Sequence, residues 1–195
     1  MDLIGSVEQL FEDHGDRTHA GATGLLLTAR SHALQCAQRA EWADAEPALV
    51  IAALLHDVGH FIPAPSDAFT QGDDHELRAV WWLAGKLPPR CIEPIRLHVQ
   101  AKRYLAARDL EYVARLPEVS RLSLSSQGGP MAAEECTVFE SQPFARQALA
   151  LRRWDDQSHE TGMRTPPLAY YLEMMVALLE RAEMPQRLPV AAMDG

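Results

Sequence analysis

Only three of the 195 residues are cysteines, and no two of them have CxxC spacing. Cys36, Cys91 and Cys136 are scattered along the chain, so they predict neither a disulfide framework nor a thiolate metal site. An odd number of cysteines without a pattern is typical of reduced thiols. We therefore expect a cytoplasmic protein.

The sequence also lacks a dense run of Lys and Arg, and its formal net charge is −9. Nucleic acid is therefore not expected as a partner. No apolar stretch reaches the length of a membrane span, and no apolar segment follows a basic start as in a secretory signal. We expect a soluble protein without a membrane partner. A few local cations would still suffice to hold a small anionic substrate.

The chain shows no convincing strand pattern and no internal repeat, whereas apolar residues recur at helical spacing. Its composition is 47% hydrophobic, which is enough for one compact core. The pattern predicts a single all-α domain over residues 1–195, with a core at about 25–160 and a C-terminal helix at about 168–184. The segments 15–24, 61–72 and 120–130 are rich in Gly, Pro or Ser and are predicted to be loops.

The pair His56-Asp57 is the most informative local feature. It ends the apolar run 49–55 and is followed by a break at Pro63 and Pro65. Charge buried at the end of an apolar helix is costly unless a partner such as a metal satisfies it. On the last turn of a helix, two adjacent side chains can reach the same ion.

Histidine is the clearest compositional excess, with eight in the chain and four of them between His56 and His98. The candidate metal ligands are His32, His56, Asp57, His75, His98 and Asp155. One metal normally takes three or four protein ligands, so this set suits two ions, with Asp57 able to bridge them. Imidazoles and carboxylates without a thiolate favour Fe, Mn, Zn or Mg.

These residues lie in motifs that resemble a known family. The motifs are HALQCA (32–37), LLHDVGH (54–60), HVQAKRYL (98–105), QGGPM (127–131) and LRRWDD (151–156). Their order and spacing resemble the HD-domain superfamily, and within it the phosphonate-degrading oxygenases of the PhnZ and TmpB type, which are related to myo-inositol oxygenase. The resemblance implies an HD-domain helical bundle.

The resemblance also implies a mixed-valent Fe(II)/Fe(III) pair held by the six candidate ligands, with Asp57 as the bridge. Asp155 is chosen over Asp156 because it directly follows the aromatic residue, as in the related oxygenases. The implied reaction uses dioxygen to remove hydrogen from the carbon that bears phosphorus. The C–P bond then breaks and yields phosphate and a carboxylic acid.

A phosphonate dianion needs charge-assisted hydrogen-bond donors. Lys102 lies one turn beyond His98, and Arg152 lies three residues before Asp155, so both can point where the ligands point. His60 is predicted to contact substrate rather than metal. The full set of predicted substrate contacts is His60, Lys102, Ser120, Ser123, Gln127 and Arg152.

The chain departs from the family pattern before the first ligand. Members that act on 2-amino-1-hydroxyethylphosphonate have a tyrosine and a glutamate ten and seven residues before the first ligand histidine. The corresponding positions here are Ala22 and Leu25. Neither residue can pair with a primary ammonium.

A quaternary ammonium has no N–H and prefers room, aromatic faces and diffuse negative charge. The best prediction is therefore the substrate of the TmpB-type branch, (1R)-1-hydroxy-2-(trimethylammonio)ethylphosphonate, with glycine betaine and phosphate as products. Phe61, Trp81, Trp82 and Tyr104 are candidate walls for the trimethylammonium group, although a place in the core is the stronger expectation for Trp81 and Trp82. The alternatives are 2-amino-1-hydroxyethylphosphonate, which would give glycine, and hydroxymethylphosphonate. The latter has no amine, so it also fits the absence of the tyrosine and the glutamate.

Two other classes of function remain open. An HD phosphohydrolase would use Zn, Mn or Mg held by His32, His56, Asp57 and Asp155, with water as the nucleophile. A metal-binding regulatory module without activity would need no substrate contacts, so Lys102 and Arg152 count against it. The sequence leaves the oligomeric state open.

Overall fold

A computed structural model describes residues 2–20, 26–63 and 74–183 of the protein. In these ranges the chain forms ten α-helices and one short pair of strands. The elements in order are α1 (Leu3–His14), β1 (Thr18–Ala20), β2 (Leu26–Thr28), α2 (Ala29–Trp42), α3 (Pro47–Leu55), α4 (His75–Leu83), α5 (Pro89–Arg108), α6 (Leu110–Arg115), α7 (Glu118–Ser126), α8 (Ala133–Glu140), α9 (Ala145–Gln157) and α10 (Leu168–Glu183). The all-α helical bundle predicted from the sequence is confirmed.

The central helices begin and pack as their sequences dictate. Thr28 accepts a hydrogen bond from the Ser31 amide and so caps α2. Pro47 occupies the first turn of α3, where its missing N–H costs no hydrogen bond. Every residue of α3 after Pro47 is apolar and buried. A helix that is apolar on all sides must lie inside the bundle, so α3 forms its centre.

The 20-residue helix α5 connects the parts of the bundle. It packs against α3, α4, α8 and α9, while α2 lies against α3 and α9. The main core includes Ile51, Leu55, Ile95 and Tyr171, contributed by α3, α5 and α10. The N-terminal end of α2, the C-terminal ends of α3 and α9 and the middle of α5 consequently meet in one region.

Two local predictions from the sequence are wrong. Strands β1 and β2 form an antiparallel pair, with Thr18 opposite Thr28. Each strand has three residues, which is too short for an alternating pattern to be visible in the sequence.

The second error concerns residues 120–126 of the segment 120–130, which were predicted to be part of a loop and instead belong to α7. The hydroxyls of Ser123, Ser125 and Ser126 donate to the carbonyls of Ser120, Arg121 and Ser123, one turn earlier. The serine-rich composition therefore belongs to a helix whose side chains bond to its own backbone.

Several predicted segments lie partly or wholly outside the described residues. They include the start of the core predicted at about 25–160, residues 21–24 of the loop predicted at 15–24, residues 64–72 of the loop predicted at 61–72, and the chain after residue 183. Within the described part, α2 begins at Ala29, and the last helix ends at Glu183. None of the described helices combines the length and the apolar composition needed to cross a lipid bilayer.

Candidate metal centre and substrate cavity

The six predicted ligands converge in the centre of the bundle as two adjacent groups. Side-chain ligand atoms of His32, Cys36, His56 and Asp155 lie within 4.8 Å of one another, and so do those of Asp57, His75 and His98. Five different stretches of chain supply these residues: the start of α2, the end of α3, the start of α4, the middle of α5 and the end of α9. The ligand set proposed from spacing is therefore one spatial cluster.

The end of α3 explains the placement of His56 and Asp57. The helix stops at Leu55, His56 follows as its C-cap, and Val58–His60 turns as a short 3-10 helix. Gly59 lets α4 approach this turn closely, because a Cβ at position 59 would lie 1.8 Å from the carbonyl oxygen of His75. The glycine of the LLHDVGH motif thus brings His75 to Asp57.

Three of the histidines are oriented by backbone carbonyl groups. The Nδ1 atoms of His32, His56 and His98 lie 2.8, 2.9 and 2.7 Å from the carbonyl oxygens of Ser158, Ala53 and Ile95. A carbonyl oxygen only accepts, so each Nδ1 carries the hydrogen. In the neutral ring the Nε2 lone pair is then available to a metal.

Asp57 lies between the two groups. Its Oδ1 is 3.4 Å from Nε2 of His56 and 3.4 Å from Nε2 of His75. Its Oδ2 is 3.9 Å from Nε2 of His32. A carboxylate with contacts to histidines of both groups has the placement that a bridge between two metal ions requires.

Asp155 completes the first group. Its two oxygens lie 3.2 Å from Nε2 of His32 and 3.6 Å from Nε2 of His56. Nε2 of His56 is fully buried and has no hydrogen-bond partner among the described residues. An orphaned imidazole nitrogen beside carboxylates is what a metal ion would satisfy, so the residues present fit such an ion.

The pKa values show how strongly these groups interact. Burial lowers the pKa of His56, but Asp57 and Asp155 outweigh it and raise the pKa to about 9. Burial, His75 and His56 together lower the pKa of His98 to about 3.

Both carboxyl groups have a pKa well below the ordinary value although burial opposes this. For Asp57 the main cause is His56, and for Asp155 it is Arg152 followed by His56. At neutral pH the centre therefore holds two carboxylates and a neutral His98, a donor set suited to a cation.

A cavity of about 390 Å³ opens onto this centre. Its wall includes eleven of the twelve residues predicted to bind metal or substrate, and only the fully buried His56 is missing from it. The helix α7 supplies Ser120 and Ser123 to the wall, and Gln127 follows directly after it. The predicted substrate contacts thus share one space with the predicted ligands.

Lys102 is held at the wall of the cavity by neutral oxygen atoms. Its side chain is almost completely buried, and Nζ donates to Ser123 Oγ at 2.5 Å and to Gln127 Oε1 at 3.3 Å. The QGGPM motif positions Gln127. Arg103 Nε donates to the Gly129 carbonyl, and Gly128 and Gly129 have positive φ angles that favour glycine. Lys102 thus places its side-chain nitrogen in the wall of the cavity that opens onto the centre.

Arg152 also lines the cavity, but carboxylates already surround its guanidinium. Nη1 lies 2.6 Å from Asp155 Oδ2, and Nε donates to Asp156 Oδ1 at 3.1 Å. Asp156 in turn accepts a hydrogen bond from the Tyr112 hydroxyl at 2.7 Å. The structure therefore gives Arg152 a second role beside its predicted one, because it also orients Asp155.

The structure adds residues that the sequence did not predict. Sγ of Cys36 lies 3.6 Å from Nε2 of His32, a contact that the spacing of four residues on a helix could have indicated. The ring of His159 stacks on that of His32, with centroids 5.1 Å apart. Phe11 and Arg17 come from the N-terminal region and also line the cavity. No spacing rule connects such distant segments to the ligands.

Only one of the four predicted cage aromatics lines the cavity. Phe61 does so and packs edge-to-face on Phe11, with centroids 5.7 Å apart. Trp81 is 56% exposed, and Trp82 lies under the ammonium of Lys86. Tyr104 donates to Glu140 on the surface. The prediction of an aromatic cage from these four residues is wrong for three of them, and Ala22 and Leu25 lie outside the described residues.

The chain is similar to known proteins over most of its length. A hydroxymethylphosphonate dioxygenase of Gimesia maris is 36% identical over 92% of this chain and 89% of its own length. A [1-hydroxy-2-(trimethylamino)ethyl]phosphonate dioxygenase (glycine-betaine-forming) of Leisingera caerulea is 34% identical over 93% and 91% of the two chains. An uncharacterised protein of Acanthamoeba polyphaga mimivirus is 34% identical over 92% and 83%. No family model matches the chain.

Proposed function

Because the chain belongs to the phosphonate dioxygenases of the PhnZ and TmpB type, and is thus an oxidoreductase, we propose that it is a non-haem diiron HD-domain enzyme. Its reaction is the dioxygen-dependent cleavage of the C–P bond in a small 1-hydroxyphosphonate. The observation that carries this proposal is the position of Asp57 between two histidine groups, beside a cavity with Lys102 in its wall.

In this proposal His32, His56 and Asp155 would hold one iron, His75 and His98 would hold the other, and Asp57 would serve as the bridging ligand. The pair, in a mixed-valent Fe(II)/Fe(III) state, would supply the activation of dioxygen. Nitrogen and oxygen donors on two ions favour iron in this setting, since the relatives are named dioxygenases. The thiol of Cys36 is adjacent but is not required by the proposed set.

The protein's own part is to bind and orient the substrate. Lys102 neutralises charge on the phosphonate, while Ser120, Ser123 and Gln127 offer neutral donors from the same wall. His60, whose ring stacks on His75 with centroids 4.1 Å apart, lies where it can donate to the substrate. Held in this way, the carbon that bears phosphorus faces the centre, and the buried surroundings limit the access of water.

For the substituent we propose trimethylammonium, hence (1R)-1-hydroxy-2-(trimethylammonio)ethylphosphonate as substrate. Phe11 and Phe61 give an aromatic wall, and the small side chains of Ala29 and Ala33 leave room. Apart from Asp57 and Asp155, the described lining of the cavity contains no carboxylate. That lining favours a quaternary ammonium over the primary ammonium of 2-amino-1-hydroxyethylphosphonate, which wants a carboxylate acceptor.

The second candidate substrate is hydroxymethylphosphonate. Arg17 lines the same cavity and would repel a cationic substituent. Three of the four candidate cage aromatics lie elsewhere, and the relative from Gimesia maris is named for this substrate. A substrate without an amine needs neither a cage nor a carboxylate.

The test is aerobic incubation of the iron-loaded protein with each of the three phosphonates. The readouts are dioxygen consumed, phosphate released and the carboxylic acid formed: glycine betaine, formate or glycine. We expect the highest kcat/KM with the trimethylammonio substrate. A preference for either other phosphonate would overturn the substrate assignment. Phosphate release at an unchanged rate without dioxygen would instead favour the phosphohydrolase.

We also propose a cytoplasmic location. Cys36, Cys91 and Cys136 are all buried free thiols, which fits a reducing compartment. Fractionation of cells that produce the untagged protein would test this location, and recovery outside the cytoplasm would contradict it.

A further inference from the structure

Arg152 has more contacts than a substrate-binding arginine needs. Its side chain is buried in α9, where Asp155 and Asp156 lie three and four residues later on the same helix. Nε donates to Asp156 Oδ1, and Nη2 of the same guanidinium also pairs with that oxygen. Nη1 points to Asp155 Oδ2 at 2.6 Å. Asp156 therefore holds the guanidinium through Nε and Nη2. The remaining nitrogen, Nη1, is directed towards Asp155 and the candidate metal centre.

The second oxygen of Asp156 has a partner from another helix. The hydroxyl of Tyr112, on α6, donates to Asp156 Oδ2 at 2.7 Å. Burial raises the pKa of Tyr112, and the charge of Asp156 raises it further, whereas Arg152 lowers it. The phenol stays protonated and remains a donor throughout the neutral range. Each oxygen of Asp156 is thus committed, one to Arg152 and the other to Tyr112.

Charge balance shows what Asp156 contributes. The single guanidinium of Arg152 faces two carboxyl groups, those of Asp155 and Asp156. Without Asp156, the whole guanidinium would turn to Asp155 and compete there for the oxygen that is proposed as a metal ligand. Because Tyr112 holds Asp156 in place, the guanidinium of Arg152 keeps its Nε and Nη2 on Asp156. Its Nη1 then lies beside both Asp155 and the cavity.

We propose that Tyr112 and Asp156 are positioning residues that act through Arg152 on the phosphonate-binding side of the centre. This inference rests on the proposed function, because the proposed function identifies a phosphonate as the anion that Arg152 binds. It gives the second aspartate of LRRWDD a role distinct from that of the first. The contact from α6 adds a restraint that spans 44 residues of sequence.

The test uses the iron-loaded holoenzyme with Tyr112→Phe, Asp156→Asn and the double variant. Tyr104→Phe is the matched control, because it removes a hydroxyl that donates to Glu140 outside the cavity. The readouts are KM and kcat for the phosphonate that the wild type turns over, the calorimetric Kd for inorganic phosphate, and iron content.

We expect Tyr112→Phe to raise KM and the phosphate Kd about three- to tenfold, and Asp156→Asn to raise them more. Iron content and kcat should change less than KM in Tyr112→Phe. In the double variant the two effects should not add, because both residues act on one side chain. Tyr104→Phe should match the wild type in KM and phosphate Kd.

An unchanged KM and phosphate Kd in Tyr112→Phe would overturn the inference, as would fully additive effects in the double variant. The outcome is separable from that of the proposed function. A wild type that cleaves none of the phosphonates would refute the proposed function, while the phosphate Kd of the variants would still test the positioning role.

Discussion

Nε2 of His75 and Nε2 of His98 lie 3.0 Å apart, although the two histidines come from different helices. Nδ1 of His98 donates to the Ile95 carbonyl, and its low pKa of about 3 keeps the ring neutral. Nε2 of His98 therefore carries a lone pair, which is directed at the imidazole of His75. Two ring nitrogens that meet beside Asp57 support the proposed second metal position, which a mononuclear hydrolase would not need.

The first prediction concerns the number of metal ions. His75→Ala should lower the iron content from about two ions per chain to about one and abolish phosphonate turnover, because the second position loses a ligand. Elemental analysis after desalting measures the iron content. His14→Ala is the control, since His14 contacts the ring of Phe61 and lies outside both ligand groups. Equal iron contents in the two variants would refute a dinuclear centre.

A second prediction concerns the pH dependence of stability in the metal-free protein. The pKa of His56 is raised from 6.5 to about 9, so its contribution is fully present below pH 6.5 and is lost as pH rises through 9. The pKa of His98 is lowered from 6.5 to about 3, so the unfolded chain takes up a proton first, and stability falls as pH falls below 6.5. The free energy of unfolding should therefore be highest near pH 6.5.

Urea denaturation of the metal-free protein between about pH 5 and pH 9 measures this profile. A single proton changes the free energy by up to about 1.4 kcal/mol per pH unit. In His98→Gln the decline on the acid side should be smaller, whereas the decline on the alkaline side should remain. A wild-type profile that is flat on both sides would contradict the opposed pKa shifts.

The third prediction tests the anion contact. Lys102→Met keeps an unbranched, buried side chain but removes the charge beside Ser123 and Gln127. We expect kcat/KM for the phosphonate to fall about 10- to 100-fold, which corresponds to the loss of one charge-assisted hydrogen bond of about 1.5–3 kcal/mol. Steady-state phosphate release measures it. The control is Lys86→Met, which removes a lysine that lies over Trp82 outside the cavity lining and should have wild-type kinetics. Similar losses of kcat/KM in both variants would exclude a specific role for Lys102.

Local helix rules account for the parts of the centre that the sequence predicted correctly. His98 and Lys102 are four residues apart on α5 and both face the cavity, as the period of the helix requires. The same rule explains the error at Tyr104. It lies two residues after Lys102, about 200° around the helix, so it faces Glu140 on the other side.

Contacts between distant segments could not be predicted in this way. The hydroxyl of Tyr112 reaches Asp156, the ring of Phe11 reaches the cavity, and the Ser158 carbonyl orients His32 across 126 positions. Each depends on how the helices pack, and no spacing in the chain encodes it. Family motifs brought Asp155 and Gln127 into the prediction, but not Tyr112, which bonds to the Asp156 partner of Arg152.

The last prediction tests how Gly59 joins the HD turn to α4. In Gly59→Ala the new Cβ would lie 1.8 Å from the His75 carbonyl oxygen and 2.9 Å from the Ala79 amide nitrogen. These neighbours are backbone atoms that cannot rotate away, so α4 must shift and His75 must leave Asp57. We expect a loss of about 1–3 kcal/mol in unfolding free energy and of about one iron per chain.

Gly85→Ala is the matched control, because it follows the end of α4. Gly85 has a φ of +72°, but no atom would lie within 4 Å of an added Cβ. The left-handed backbone alone should cost about 1–2 kcal/mol there, while both irons are retained. Thermal unfolding and iron analysis of the two variants separate general destabilisation from displacement of His75. If Gly59→Ala kept both irons, the close approach at Gly59 would not be what places His75 beside Asp57.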